Sequence, residues 1–156
     1  WLCHVFLGGA LAASPIAAAI AVQPGALMGT VALWLLAAMV LLWVGGFDVI
    51  YALQDLEFDR DAGLYSVPAR FGWRGAAWVS RLHHALALIA LGGAWALDDR
   101  LGALFGSGVV VVGMLLVWEH VVLARRGRAG IPMAFFTING VVSVVLGVTG
   151  CVDVVV

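Results

Sequence analysis

Lysine is absent from this 156-residue chain, so all eight basic residues are arginines. Charge of either sign is scarce: 11% of residues are charged and 64% hydrophobic, against about a quarter charged in an average soluble domain. That balance excludes an ordinary water-soluble domain and assigns the chain to the membrane. A formal net charge of −1 says little about partners, and no basic run is long enough for nucleic acid. The two cysteines, Cys3 and Cys151, lie in apolar stretches near opposite ends. They make no disulfide framework, and an inert thiol buried in lipid is expected of each. Asparagine occurs once, at Asn139. The first residue is Trp1 rather than methionine, and no charged region precedes the first apolar run. No signal peptide is recognisable there, and the chain is expected to be a fragment beginning at or inside a membrane helix.

What the chain does contain is long apolar runs. A helix of about 20 apolar residues spans a bilayer, and only internally hydrogen-bonded backbone is tolerated there. Five such runs are expected. The first covers residues 2–22, with a kink at Pro15 and small residues (Gly8, Gly9, Ala10, Ala12, Ala13) suited to close helix approach. Gln23-Pro24-Gly25 ends it as a turn. The second covers about 27–54, longer than a bilayer needs, so its last turns should protrude. A polar connection over 57–74 comes next, broken by Gly63, Pro68 and Gly72. The third run covers about 75–97, the fourth about 104–123, and the fifth runs from after Pro132 to about 152. Trp1, Trp73 and Trp118 stand near run ends, as interface anchors do. With five crossings, Arg60, Arg70, Arg74, Arg125, Arg126 and Arg128 fall on one side and Arg100 alone on the other. The positive-inside rule puts the arginine-rich side in the cytoplasm.

That side also carries the densest polar feature, residues 48–61, which holds five of the nine acidic residues. At about 100° per helical residue, Asp48, Asp55 and Asp59 fall within roughly 40° of one another, while Glu57 and Asp61 point elsewhere. Carboxylates on one face repel unless a cation or protons offset them. Three uses are open: a solvated helix end, a proton or cation pathway, or a Mg²⁺ site for a phosphorylated substrate. Magnesium commonly takes one or two carboxylates plus substrate phosphates, and arginines stabilise charge on a phosphate leaving group. The last use accounts for both the acids and the arginines of the next connection, and is preferred.

The stretch from Tyr51 to Asp59 (Tyr-Ala-Leu-Gln-Asp-Leu-Glu-Phe-Asp), continued by Gly63-Leu64-Tyr65-Ser66-Val67-Pro68-Ala69-Arg70-Phe71-Gly72, resembles the second aspartate-rich motif of the UbiA-type intramembrane prenyltransferases. The resemblance is greatest to the bacterial 4-hydroxybenzoate polyprenyltransferase branch, including relatives that serve menaquinone biosynthesis. Arg81 with His84, Trp118-Glu119-His120, and Ala134-Phe135-Phe136-Thr137-Ile138-Asn139-Gly140 extend the match. It spans nearly the whole chain from Phe47 onward.

The resemblance implies an all-α bundle, polytopic in the bacterial inner membrane, with five helices here of about nine in the family. The whole chain, residues 1–156, would be the C-terminal portion of a single domain. It implies transfer of a polyprenyl group from an isoprenyl diphosphate to an aromatic acid acceptor in quinone biosynthesis, dependent on Mg²⁺, with the site loops cytoplasmic. Asp55 and Asp59 would be the metal-binding aspartates. Tyr51 would lie near the diphosphate or the developing cation, whose charge an aromatic face stabilises. Asp48 would line the site, and Arg70 and Arg74 would reach the diphosphate or lipid headgroups. The family's first motif, Asn-Asp-x-x-Asp-x-x-x-Asp, is missing, because Asn139 is followed by Gly140. The chain alone is therefore expected to be inactive. A proton or ion transporter using the acidic face, and a non-catalytic membrane protein of the same fold, stand as alternatives.

Plainer roles are expected elsewhere. Arg81 and His84 should pack inward with a carboxylate partner, and Glu119 and His120 should pair with the arginine-rich connection. Asn139 should bond another helix. A zinc site from His83, His84 and His120 has no ligand spacing behind it.

Overall fold

The computed structural model describes residues 2–155, all in helices and short connections; Trp1 and Val156 lie outside the described residues. Five long helices carry the fold: α1 (Cys3–Val22), α3 (Val31–Tyr51), α5 (Val67–Leu97), α6 (Ala103–Arg126) and α7 (Asn139–Val155). Two short ones, α2 (Ala26–Gly29) and α4 (Leu56–Asp61), sit in the connections. The expected all-α bundle is observed. Four described segments are long and apolar enough to cross a membrane: Cys3–Val22, Val31–Asp61, Ala103–Gly130 and Met133–Val155. Helix α5 falls short on composition because Arg81, His83 and His84 interrupt it. Yet its His84 is buried while Leu82, Leu86 and Ile89 face outward, so from Leu82 onward the surface it offers to lipid is apolar.

The structure redraws three boundaries. The second apolar run is not one helix from 27: Thr30 is extended (φ −120°, ψ 95°) and separates α2 from α3. The polar connection shrinks to a loop over 62–66, because Ser66 caps α5. Its hydroxyl accepts from the Ala69 N–H at 3.1 Å, with Pro68 in the first turn. Proline in a first helical turn loses no hydrogen bond, so Pro68 starts a helix where a break was expected. Gly72 does break the chain's path. At φ 69°, ψ −177° it kinks α5, a conformation open essentially to glycine alone.

Helix α3 lies at the centre, packed between α1 and α5, and the set α3, α5, α6, α7 closes around an apolar core that includes Met39, Leu91, Phe105, Val112, Leu116 and Val142. Small residues let α1 and α3 approach closely, since a β-carbon at Gly8 would strike the Leu41 carbonyl. Large apolar side chains such as Phe6, Trp34, Ile89 and Val117 point outward, as expected of a surface solvated by lipid. The cysteines also lie on that outer surface, unpaired.

The connection bearing α4 and the one joining α6 to α7 sit together, because Arg128 Nη2 lies 3.3 Å from Glu57 Oε1. This is the shared side that counting crossings gave. At the other end Arg100 forks onto Asp98 (2.9 and 2.8 Å) and holds its carboxyl below the usual range. Asp153 there accepts the Phe105 N–H at 2.6 Å, satisfying one free donor at the start of α6.

Candidate functional site

The end of α3 is not a continuous α-helix. Ala52–Asp55 winds as a 3₁₀ turn before α4 begins. Such a turn advances about 120° per residue against about 100°. Its four residues thus rotate α4 by about 80° relative to Asp48. The expectation that Asp48, Asp55 and Asp59 share one face is corrected accordingly. Asp55 and Asp59 remain four residues apart, Asp55 at the residue that precedes α4 and Asp59 in its first turn. Asp55 is exposed and Asp59 half-buried, and neither enters an ion pair among the described residues. Arg60 Nε donates to the Ala69 carbonyl (3.2 Å), fixing α4 against the first turn of α5.

Asp48 is engaged elsewhere. Its Oδ2 lies 2.6 Å from His4 Nδ1, and the same imidazole takes the Val67 N–H at Nε2 (3.3 Å). Because Nε2 accepts, the ring proton sits on Nδ1 and is donated to Asp48. One imidazole thereby ties α1, α3 and the start of α5 beneath the acidic end. Sequence reasoning passed over His4; a lone histidine in an otherwise apolar run was the available signal.

Tyr51 heads an aromatic wall. Its ring lies 4.3 Å from that of Phe135, which meets Phe47 edge-on at 5.4 Å, and Phe47 meets Trp43 at 5.5 Å. Phe136 closes on both Phe135 (4.7 Å) and Tyr51 (6.4 Å). Phe135 and Phe136 belong to a π-helical segment, Met133–Ile138, whose widened turn leaves carbonyls to be satisfied. Asn139 supplies the donors: its Nδ2 reaches the carbonyls of Ala134 (3.0 Å) and Phe135 (3.1 Å).

Asn139 also begins a buried polar chain to which four helices each contribute. Trp43 Nε1 of α3 donates to Asn139 Oδ1 (2.8 Å), and Asn139 Nδ2 reaches Glu119 Oε1 of α6 at 3.5 Å. Glu119 Oε2 lies 3.4 Å from His84 Nδ1 of α5, which is 3.1 Å from His120 Nε2. Glu119 is wholly buried, which corrects its expected pairing with the arginine-rich connection. Buried carboxylates require partners, and the core meets this only in part: Oε1 has the long Asn139 contact, while Oε2 has His84 nearby but accepts no hydrogen bond among the described residues. The inward, carboxylate-paired role expected of His84 and the interhelical bond expected of Asn139 are both observed. Arg81 takes a different partner: its guanidinium lies 5.0 Å from the Trp78 ring centroid. His83 turns away to donate to the Val79 carbonyl (2.9 Å). Among the described residues no group of three or more His, Cys, Asp and Glu is gathered to hold a metal by itself.

A cavity of 390 Å³ opens beside the aromatic wall between α1, α3 and α7, lined by Leu11, Val40, Trp43, Phe47, Asn139 and Ser143 among others. Arg70 and Arg74, expected in the polar connection, lie instead in the first turns of α5, and Arg70 stacks over Phe71 (5.5 Å). Arg74 lines a groove between α5 and α6 with Trp73, Trp78 and Arg81.

Residues 1–141 match the UbiA prenyltransferase family model. The chain is 35% identical over 104 residues to a 4-hydroxybenzoate octaprenyltransferase of Ectopseudomonas mendocina, covering 66% of this chain and 33% of that one. It is 29% identical over 106 residues to the protein of that name from Cronobacter sakazakii, covering 68% and 36%. A lycopene elongase/hydratase of Haloferax volcanii is 37% identical over 71 residues, 46% of this chain and 23% of the relative. The chain thus spans about a third of the octaprenyltransferases it matches. The apo structure of a UbiA homolog from Aeropyrum pernix K1 superposes with a TM-score of 0.78 at 31% identity, over 96% of this chain and 55% of that one. Motif, fold and relatives agree: this integral membrane protein belongs to the UbiA prenyltransferase family.

Proposed function

We propose that the chain supplies the second half of a prenyl-transfer site, in which an isoprenyl diphosphate gives its prenyl group to an aromatic acid of the 4-hydroxybenzoate type. The observation that carries this is the pair Asp55 and Asp59. They lie four residues apart at the membrane-surface end of the bundle, uncommitted to any ion pair among the described residues, with Tyr51 and its aromatic wall adjoining.

The pair suits Mg²⁺, whose remaining ligands are ordinarily waters and substrate phosphates. Bound there, the ion would neutralise charge on the diphosphate leaving group. Arg70, in the first turn of α5, is assigned to the same diphosphate; Arg74 is assigned to the groove between α5 and α6. Tyr51 presents its ring to positive charge developing at the allylic carbon, and Phe135 holds that ring in place. The 390 Å³ cavity beside Phe47, open on its outer side, offers mainly apolar walls to the prenyl chain. Asp48 is assigned a positioning role, through its bond to His4, rather than contact with substrate. The arginine-rich end is assigned to the cytoplasm of a bacterial inner membrane.

A transporter finds less support. The buried acid, Glu119, is held within the core beside His84 and Asn139, and three of the four exposed acids, Asp55, Glu57 and Asp61, gather at one end.

The test is Mg²⁺-dependent binding of a tritiated isoprenyl diphosphate to the chain in neutral detergent. Asp55→Asn and Asp59→Asn should each weaken binding at least about tenfold, the loss of one charge-assisted contact. Asp61→Asn, in the same helix, should not. Equal losses in all three variants, or binding indifferent to Mg²⁺, would sink the proposal.

A further inference from the structure

Beyond that site, three adjoining cavities form one groove along the outer face of α5 and α6. The first, of 340 Å³, is lined by Trp73, Arg74, Trp78 and Arg81. The second, of 480 Å³, shares Arg81 and Ala124 with it and continues past His120 to Leu88 and Gly113. The third, of 540 Å³, shares Leu88, Gly113 and Val117 with the second and ends at Val109, Val110 and Met114. None of these residues lines the cavity beside Phe47, so the groove is separate from the proposed prenyl site.

Its charge is all at one end. Arg74 and Arg81 enter no ion pair among the described residues, and Arg81 lies over the Trp78 ring. Arginine within a membrane-spanning helix is costly without an anionic partner, and a phosphate accepts guanidinium hydrogen bonds in a forked geometry. Tryptophans beside them mark headgroup depth. Below His120 the groove is apolar. From His120 to Val109, α6 advances eleven residues, about 16 Å at about 1.5 Å each, or roughly half of a hydrocarbon core about 30 Å thick. That is the depth of one leaflet. Gly113 keeps the floor open, since a β-carbon there would meet only the Leu88 methyls, at 3.3 and 3.7 Å.

We propose that this groove seats an anionic phospholipid, its phosphate at Arg74 and Arg81 and one acyl chain lying along Leu88, Gly113 and Val117. A cationic mouth with a leaflet-deep apolar floor fits a lipid with a charged head; it offers no carboxylate pair to hold the metal of a diphosphate substrate.

The test uses the chain in neutral detergent, incubated with phosphatidylglycerol or phosphatidylcholine of identical acyl chains, with retained lipid counted by native mass spectrometry. Phosphatidylglycerol should be retained in preference, and Arg81→Gln should cut that preference about fivefold. Gly113→Leu, which fills the floor and leaves both arginines, should lower retention of phosphatidylglycerol to the level of Arg81→Gln. Circular dichroism on both variants confirms that the helices remain. Equal retention of the two lipids would overturn the proposal. So would a preference that survives Gly113→Leu, which would mean arginines attracting headgroups without a seat. Absence of lipid together with a dimer that Gly113→Leu dissociates would assign the groove to a second copy and overturn it too.

Discussion

Asn139 bonds to α3 through Trp43, to α6 through Glu119 and to two carbonyls of the π-helical segment. Interhelical hydrogen bonds in membrane proteins average about 0.6 kcal/mol each and reach about 1.7 kcal/mol. Trp43→Phe removes one such bond and keeps the aromatic stack, so it should cost about 0.6 kcal/mol. Asn139→Leu removes several bonds at once and frees the carbonyls behind Phe135, so about 2 kcal/mol is expected. Thermal unfolding in detergent orders the two variants. The Asn139 change should also loosen the Tyr51–Phe135 contact, read as weaker isoprenyl diphosphate binding than in Trp43→Phe. If both variants unfold alike, Asn139 is not the organising donor. Legibility at this scale was partial. Asp55 and Asp59 stand out because local spacing alone places them. The partners of Glu119 and the engagement of His4 by Asp48 join residues 35, 20 and 44 positions apart, beyond what periodicity reports.

Among the elements, close approach decides which glycines matter. A β-carbon at Gly8 would meet the Leu41 backbone carbonyl, which no rotamer change relieves, and one at Gly46 would enter the His84 ring. Gly8→Ala and Gly46→Ala should therefore each destabilise by about 1–3 kcal/mol through overpacking. Gly9→Ala, whose β-carbon meets nothing within 4 Å, should be neutral or slightly stabilising, since alanine favours helix over glycine by about 1 kcal/mol. Midpoints of thermal unfolding decide it; a loss at Gly9 matching that at Gly8 would refute close packing of α1 on α3. At Gly72 the cause is backbone rather than space: alanine at φ 69° should cost about 1–3 kcal/mol and straighten or unseat the start of α5. The five long helices were legible from run length. The 3₁₀ turn after Tyr51 and the helix start at Ser66-Val67-Pro68 were not. The first depends on how α3 packs, and the second places proline where its missing N–H costs nothing.

For the molecule as a whole, a family membrane bundle is presented over about half of a solved relative's length, with Asp55 and Asp59 at one end and the aromatic wall headed by Tyr51. Prenyl transfer by the purified 156-residue chain should be undetectable. Joined to the preceding helices of a relative that carry the motif Asn-Asp-x-x-Asp, the chain should form prenylated 4-hydroxybenzoate, and Asp59→Asn in the fusion should abolish the product. Turnover by the chain alone would overturn this division of labour. The amino-acid sequence determined the solvent, because 64% hydrophobic residues with 11% charge leave no soluble fold open. It also determined the helical class and the pairing of Asp55 with Asp59, both consequences of run length and local helical spacing. The tertiary structure decided which polar groups are spent within the bundle and which are left for ligands. Asp48 was taken by His4 and Glu119 was set beside His84 and Asn139, because a carboxylate packed between helices finds its partners on the helices that face it. Which helix stands opposite is fixed by packing, not by neighbours in the chain.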